Sequence, residues 1–491
     1  MEEISTEMNS LTSHIEKKKL IMFVVNVIIT LLVWNLPSDS FGIDGLTVLQ
    51  QRMIAIFVFA TLMWLTEAIP AWATSLAIIT IMVVTMTDNS FVFLRDTGKS
   101  FGELLSASEI MASFADPIII LFLGGFILAI AATKSGLDVL LARKLLKPFG
   151  SKSEIVLLGF IMITGFFSMF VSNTATAAMM LTFLTPVFKS LPADGKGRVA
   201  LTLSIPLAAN IGGIGTPIGT PPNAIVMKWL NNPNGLNLGI GFGEWMMVMI
   251  PFTIVMLLIT WMVLKTFFPF KRKNIDIEIK GSIKHNWRSV VVMVTFAVTV
   301  LLWLLDKVTG VDANAVAIIP IGIFAITGVI TSKDLQEINW SVIWMVAGGF
   351  ALGHGLNETG LADAAIESIP FGTWSPIMIW IISGIICYLL SNVISNTATT
   401  ALLTPILATI CKGMSDSLGA IGGTSTILIG IAIAASSAMC LPISTPPNAI
   451  AHSTGLVKQS EMLKAGLICG LIALALGYAM LYFVGKAHIL G

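Results

Sequence analysis

Ser172-Asn173-Thr174-Ala175-Thr176 and Ser395-Asn396-Thr397-Ala398-Thr399 repeat one another almost residue for residue, each inside a long apolar surround. Downstream of each stands a second duplicated stretch, Thr220-Pro221-Pro222-Asn223-Ala224-Ile225 and Thr445-Pro446-Pro447-Asn448-Ala449-Ile450. Ser and Thr hydroxyls beside an Asn amide are neutral donors of the kind that orient a carboxylate. Ser172 and Asn173 suit the N-cap of the segment that follows them, and Ser395 and Asn396 do the same in the second copy. Thr220 and Thr445 suit the caps of half-helices whose first positions are Pro221 and Pro446, where proline is best tolerated. Four helix N-termini would result, with free N–H groups and positive dipole ends that favour an anion. Each contributes about 0.3–1 kcal/mol when exposed to water and more when partly buried. Two equivalent donor sets suggest a ligand with two anionic ends.

No Arg lies in any of the four islands, so the bidentate guanidinium clamp common for carboxylates is missing. Charge balance must come from the dipoles together with a bound cation or a nearby basic side chain. Unwound backbone carbonyls beside Ser172-Asn173, near Gly215 and Thr216, and in the mirrored Cys440-Leu441 stretch could coordinate Na⁺. The basic candidates are Lys228, five residues after Asn223, and His452, four after Asn448. Their bland alternative is that Lys228 snorkels to the outer surface and His452 sits in a polar contact.

Composition says what must hold these islands. The chain is 55% hydrophobic and 11% charged, with a mean hydropathy of +0.90, which cannot furnish a soluble surface over 491 residues. It reads as an all-α polytopic membrane protein. A net charge of +1 and the lack of a basic tract with interleaved aromatics give no sign of nucleic acid. Cys387, Cys411, Cys440 and Cys469 form no CxxC pair, and the five His are scattered, so neither a disulfide framework nor a His/Cys metal site is expected.

Apolar runs long enough to cross about 30 Å of hydrocarbon recur along the chain. Two of them, about 153–188 and 376–410, carry the Ser-Asn-Thr islands near their middles and read as re-entrant helical hairpins. With the N-terminus inside, 21 of the 28 Lys and Arg then fall on the cytoplasmic side, and the outer loop 357–375 has none. The positive-inside rule thus supports about eleven spans plus two hairpins, with the C-terminus outside. Gly124-Gly125-Phe126 returns as Gly348-Gly349-Phe350 at an offset of 224, the Ser-Asn-Thr islands are offset by 223 and the Thr-Pro-Pro-Asn islands by 225. Each copy holds an odd number of crossings, so the second is inserted upside down, the inverted-repeat plan of secondary transporters. The expected organisation is a cytoplasmic tail 1–19, a first span and outer loop 20–51, repeat 1 over 52–268, a cytoplasmic linker 269–288 and repeat 2 over 289–491.

At both Ser-Asn-Thr motifs, both Thr-Pro-Pro-Asn-Ala-Ile motifs and the Phe114-Ala115-Asp116-Pro117 entry to the Gly-Gly-Phe helix, the chain resembles the divalent anion–sodium symporter family, INDY-type. The resemblance covers nearly everything after the N-terminal tail. It implies transport of C4–C5 dicarboxylates such as succinate, malate, fumarate or 2-oxoglutarate. It also implies a homodimer in membrane lipid, in the plasma membrane of a bacterial cell, and an elevator-like movement. By motif, Ser172, Asn173 and Thr174 would hold one carboxylate and Ser395, Asn396 and Thr397 the other. In sodium-coupled members the oxygens around these motifs hold Na⁺, which points here to Ser172, Asn173, Gly215, Asn396 and the neighbourhood of Ser444. Lys228 and His452 depart from those members, which have small or apolar residues there. Fixed positive charge in place of Na⁺ would favour anion exchange, with Na⁺ symport as the alternative.

Other classes fit less well. The island serines have no nearby His–Asp pair, and neither GxSxG nor HExxH occurs, so an enzyme is not expected and no organic cofactor is implied. A channel would not require paired anion sites. Sulfate or a tricarboxylate stays open as the ligand.

Overall fold

In a computed structural model the described residues are 2–95, 101–189, 191–192, 195–232, 236–275, 286–368, 373–487 and 489–490, with side chains from 16 onward other than those of 185, 186, 189 and 416. Residues 276–285 of the expected linker and 369–372 of the outer loop 357–375 lie outside them, as do 233–235. The described residues are helical throughout, joined by turns and two isolated bridges. Among the described residues six helices are long and apolar enough to cross a membrane: Glu16–Asn35, Val48–Thr66, Ala107–Ser135, Phe242–Phe267, Trp287–Leu304 and Gln459–Lys486. Residues 2–19 contain no Pro or Gly to stop a helix, and Glu2–Asn35 runs on as one.

The chain clusters into two compact units that each draw on both repeats: 1–116 with 340–374 and 397–414, and 117–339 with 375–396 and 415–491. In the first, Glu2–Asn35 packs on Val48–Thr66, and Ala71–Met86 lies along Trp340–Glu358. That last crossing is close because Gly348 has no Cβ; one would sit 2.2 Å from Ser75 Cβ. Arg52 is buried at 4% exposure. Its guanidinium donates to Thr85 O at 2.5 Å and Leu94 O at 2.6 Å and stacks between Trp34 and Phe101. Among the described residues no carboxylate pairs with it.

In the second unit, Pro117–Ser135 packs against Ala313–Ile326 and Trp287–Leu304 around Leu121, Leu128, Val316 and Phe324. A Cβ on Gly124 would meet Ala317 O at 2.5 Å, so only glycine permits that approach. Lys134, in the last turn of the first of these helices, reaches Asp334 at 2.6 Å. Burial opposes the charge on Asp334, yet hydrogen bonds from Lys134 and Thr331 hold its carboxyl below the usual range. Both predicted hairpins contain a helix break. Ser153–Ser168 gives way to Asn173–Lys189, and Pro376–Ser391 to Asn396–Gly413.

Downstream, each Pro-Pro-Asn island interrupts a helix in the same manner. Lys196–Gly213 ends, the chain unwinds over 214–220, and Pro221–Asn231 begins. Thr424–Ser437 ends, the chain unwinds over 438–445, and Pro446–Ser453 begins. Paired prolines remove two backbone donors in succession, which no continuous helix tolerates. The two half-helices cross between repeats. Pro221–Asn231 packs on Thr424–Ser437, while Pro446–Ser453 packs on Lys196–Gly213 and Asn173–Lys189.

Candidate functional site

Ser172 occupies the N-cap position of Asn173–Lys189, its Oγ accepting from Ala175 N at 3.3 Å. Asn173 is therefore the first helical residue and its side chain is free for other work. It lies beside Ser168, the last residue of the preceding arm, which also donates to Ala209 O at 2.8 Å. Asn173 Oδ1 sits 2.5 Å from Ser168 Oγ, with Gly219 O and Ala209 O at 3.1 and 3.2 Å. An oxygen facing three oxygens is satisfied in one of two ways. Without a cation, the amide turns over and presents its nitrogen to all three, its two hydrogens serving two of them at a time. With a small hard cation among them, the oxygen stays and becomes a ligand. The second repeat repeats the pairing, Ser391 Oγ donating to Asn396 Oδ1 at 2.9 Å. Ser168 and Ser391 were not singled out from sequence, although they too are offset by 223.

Asn223 and Asn448 do more than their place in the motif suggested. Asn223 is fully buried, and its Nδ2 donates to Gly213 O at 3.0 Å, Ile214 O at 3.2 Å and Thr216 O at 2.8 Å. Asn448 donates to Met439 O and Leu441 O, both at 2.9 Å. Each amide thus ties off the carbonyls that the unwound stretch leaves without helical partners, the requirement that irregular backbone in an apolar surround must meet.

The islands also meet the helix breaks at 169–172 and 392–395. Thr216 Oγ1 donates to Met169 O. Ser444 Oγ donates to Asn392 O at 2.9 Å, and Cys440 N to Asn392 Oδ1 at 2.9 Å. Gly215 is buried, its N bonded to Gly212 O at 3.0 Å, and a Cβ there would press on Met169. Pro221 and Pro446 take the first helical positions. Thr445 caps its half-helix, accepting from Asn448 N at 3.4 Å. Thr220 does not: it is buried at the N-cap with extended backbone, but its hydroxyl makes no capping bond. Asn210 then joins the two repeats, donating to Thr445 Oγ1 at 3.1 Å and Asn448 Oδ1 at 3.2 Å.

All these residues belong to the second compact unit, with Thr174, Ser395 and Asn396 half-buried at the helix starts; Thr397, also buried, opens the stretch grouped with the first unit. Lys228 and His452 stand apart from the starts. Each lies in the last turn of its half-helix, half-buried, seven and six residues beyond the first proline. At 1.5 Å per residue that is roughly 10 and 9 Å along the axis. A basic group there complements the negative end of its own helix dipole.

The arrangement thus sets helix starts, a kind of place that favours an anion, near neutral oxygens of the kind that can ligate a hard cation. Among the described residues no cluster of three or more His, Cys, Asp or Glu could hold a metal ion, so such a cation would be held by hydroxyl, amide and carbonyl oxygens. Comparison with known proteins gives the arrangement a context. Residues 61–421 match the model of the family described as citrate transporter, CitMHS. The chain is 30% identical, over 94% of its length and 91% of the relative's, to the sodium-dependent dicarboxylate transporter SdcS of Staphylococcus saprophyticus. It is 32% identical to SdcS of Staphylococcus aureus strain USA300, covering 88% of this chain and 85% of that one. An uncharacterized transporter of Haemophilus influenzae is 31% identical over 96% and 98% of the two chains. The solved structure of the Alcanivorax borkumensis YdaH transporter aligns with a TM-score of 0.57 at 14% identity, over 88% of this chain and 99% of that one, a likeness of fold alone. Neisseria gonorrhoeae MtrF aligns with a TM-score of 0.51 at 13% identity, over 84% and 95%.

Proposed function

Because the chain belongs to the citrate transporter family, and to the divalent anion–sodium symporters its motifs resemble, we propose that it is a secondary transporter that carries a C4–C5 dicarboxylate together with Na⁺. The observation that carries this reading is the mirrored Ser–Asn pair at the two hairpin breaks, Ser168 with Asn173 and Ser391 with Asn396. Around the first pair Ser168 Oγ, Gly219 O and Ala209 O converge on the Asn173 amide, oxygens of the kind that ligate a sodium ion. The half-helix starts supply neutral donors and positive dipole ends for a carboxylate at each half of the site. Sodium placed beside them offsets the two negative charges without any arginine.

This reading replaces the lean towards anion exchange. That lean rested on Lys228 and His452, which sit in the last turns of their half-helices rather than at the starts, and the SdcS relatives are sodium-dependent by name. On the same reading the protein works as a homodimer in the plasma membrane, N-terminus inside, and moves its site by an elevator-like displacement. Protein reconstituted in liposomes tests the coupling. Inward Na⁺ gradients should drive succinate into empty vesicles, and replacing Na⁺ by K⁺ should abolish uptake. Uptake that ignores Na⁺ and requires internal dicarboxylate would restore the exchanger and refute symport.

A further inference from the structure

The two islands share the asparagine that ties off their unwound carbonyls, through Ile214 O and Thr216 O in one and Met439 O and Leu441 O in the other, but they part at Asn210. Asn210 is 2% exposed, set among alanines and other apolar residues near the end of the helix Lys196–Gly213. Both hydrogens of its amide are committed across the repeat boundary, to Thr445 Oγ1 at 3.1 Å and Asn448 Oδ1 at 3.2 Å. Counted at the same offset of 225 that relates the islands, the matching position in the second repeat is Ala435, which has no donor. The first repeat shows the consequence. Asn223 Oδ1, counterpart of the oxygen that Asn210 engages, is buried without a hydrogen-bond partner. Thr220, counterpart of Thr445, makes no side-chain cap.

We infer that Asn210 is a positioning residue through which the first repeat fixes the geometry of the second Pro-Pro-Asn helix start. Because Asn448 Oδ1 accepts from Asn210, its Nδ2 must point the other way, onto Met439 O and Leu441 O. One donor therefore orients the amide that secures the unwound chain over 438–445, and it holds the Thr445 hydroxyl that caps the half-helix. Among the described residues the hydrogen bonds of the first island's amide stay within its own repeat, and Pro221–Asn231 meets the second repeat by packing on Thr424–Ser437. The two halves of the site accordingly differ in rigidity: the second is held ready, and the first has freedom to adapt as ligand arrives. This assignment rests on the reading of the islands as the substrate and cation site.

Hydrogen exchange on the ligand-free, full-length protein separates the assignment from that reading. In Asn210→Ala, peptides containing Asn448 and Ala449, whose amides bond to Thr445, should exchange about tenfold faster, the effect of leaving a buried acceptor without its donor. Peptides over 214–225 should be unchanged. Asn210→Ser, which keeps a shorter donor, should fall between, and it carries the same comparison should the alanine variant fail to fold. In liposomes the dicarboxylate KM and the Na⁺ concentration for half-maximal uptake should both rise about tenfold, with the maximal rate within about twofold. A purely structural residue would lower the maximal rate or the yield of folded protein and leave both midpoints in place. Equal exchange in wild type and variant, loosening spread evenly over both islands, or unmoved midpoints in a variant whose exchange has quickened would each overturn the assignment. If wild type carries no dicarboxylate at all, the functional reading fails, and the exchange comparison still decides the role of Asn210.

Discussion

Replacing Asn223 measures how much the unwound stretch depends on one amide. Its nitrogen donates to three carbonyls, at 3.0, 3.2 and 2.8 Å, but carries only two hydrogens, so two bonds is the fair count. Two of the carbonyls have another donor: Ile214 O accepts from Trp245 Nε1 at 3.1 Å, and Thr216 O from Gly219 N at 3.2 Å. They are not stranded when the amide goes, so the ordinary net value of about 1 kcal/mol per bond applies. Asn223→Ala should cost about 2 kcal/mol, roughly a thirtyfold change in an equilibrium constant. If that cost falls on the binding-competent conformation, the dissociation constant for succinate in saturating Na⁺ should rise by a similar factor in a calorimetric titration. Asn223→Asp supplies the sharper comparison, since it keeps the shape but turns an acceptor towards three acceptors in a fully buried place. It should bind more weakly and unfold at lower temperature than the alanine variant. An aspartate variant equal to or better than alanine would refute the claim that this amide ties off the carbonyls.

Other outcomes follow from features away from the islands. Gly124→Ala should sharply reduce the yield of folded protein, because the new Cβ meets Ala317 backbone at 2.5 Å, whereas Gly125→Ala should be tolerated, its nearest neighbour being Ile218 Cδ1 at 3.5 Å; size-exclusion profiles of the pair decide. Arg52→Met should lower the thermal midpoint by leaving the Thr85 and Leu94 carbonyls without a donor, a cost of about 1–3 kcal/mol, and Arg52→Lys should recover less than half of it, because one ammonium does not reproduce the fork. Asp334 has a carboxyl held below its ordinary value of 3.8, so its stabilisation is present above that pH and is lost as pH falls through the lower folded value. With the Lys134 side chain 39% exposed the pair is worth no more than about 1 kcal/mol, and Asp334→Asn should remove this acid-side loss from the pH dependence of the thermal midpoint.

The islands were legible in the sequence because helix breakers and small polar residues stand out against an apolar chain, and because doubling at a fixed offset is not expected by chance. What each residue does inside an island was less legible. Thr220 and Thr445 read alike as caps, yet only Thr445 caps, since its hydroxyl is held by Asn210, a contact between residues 235 apart. Ser168 and Ser391 looked like ordinary small residues in apolar arms, and only their shared offset of 223 could have marked them. Lys228 and His452 drew attention because charge is costly in an apolar chain, but spacing from the proline shows how far along the half-helix they lie. The division into two units, each drawing on both repeats, depends on long-range packing that local periodicity does not encode.

The crossed packing of the half-helices also bears on how the chain acquires its structure. Pro221–Asn231 packs on Thr424–Ser437, which a ribosome has yet to make when the first repeat is complete. Domains commonly fold as they emerge, but here the first half must wait with an uncovered half-helix until roughly two hundred further residues are synthesised. Contacts of such sequence separation are slow to form. Neither repeat expressed alone is expected to reach a stable fold, and pulse-labelled chains should become protease-resistant in one late step, after Thr424–Ser437 has been inserted. The duplication that pairs the islands also makes their assembly all or nothing.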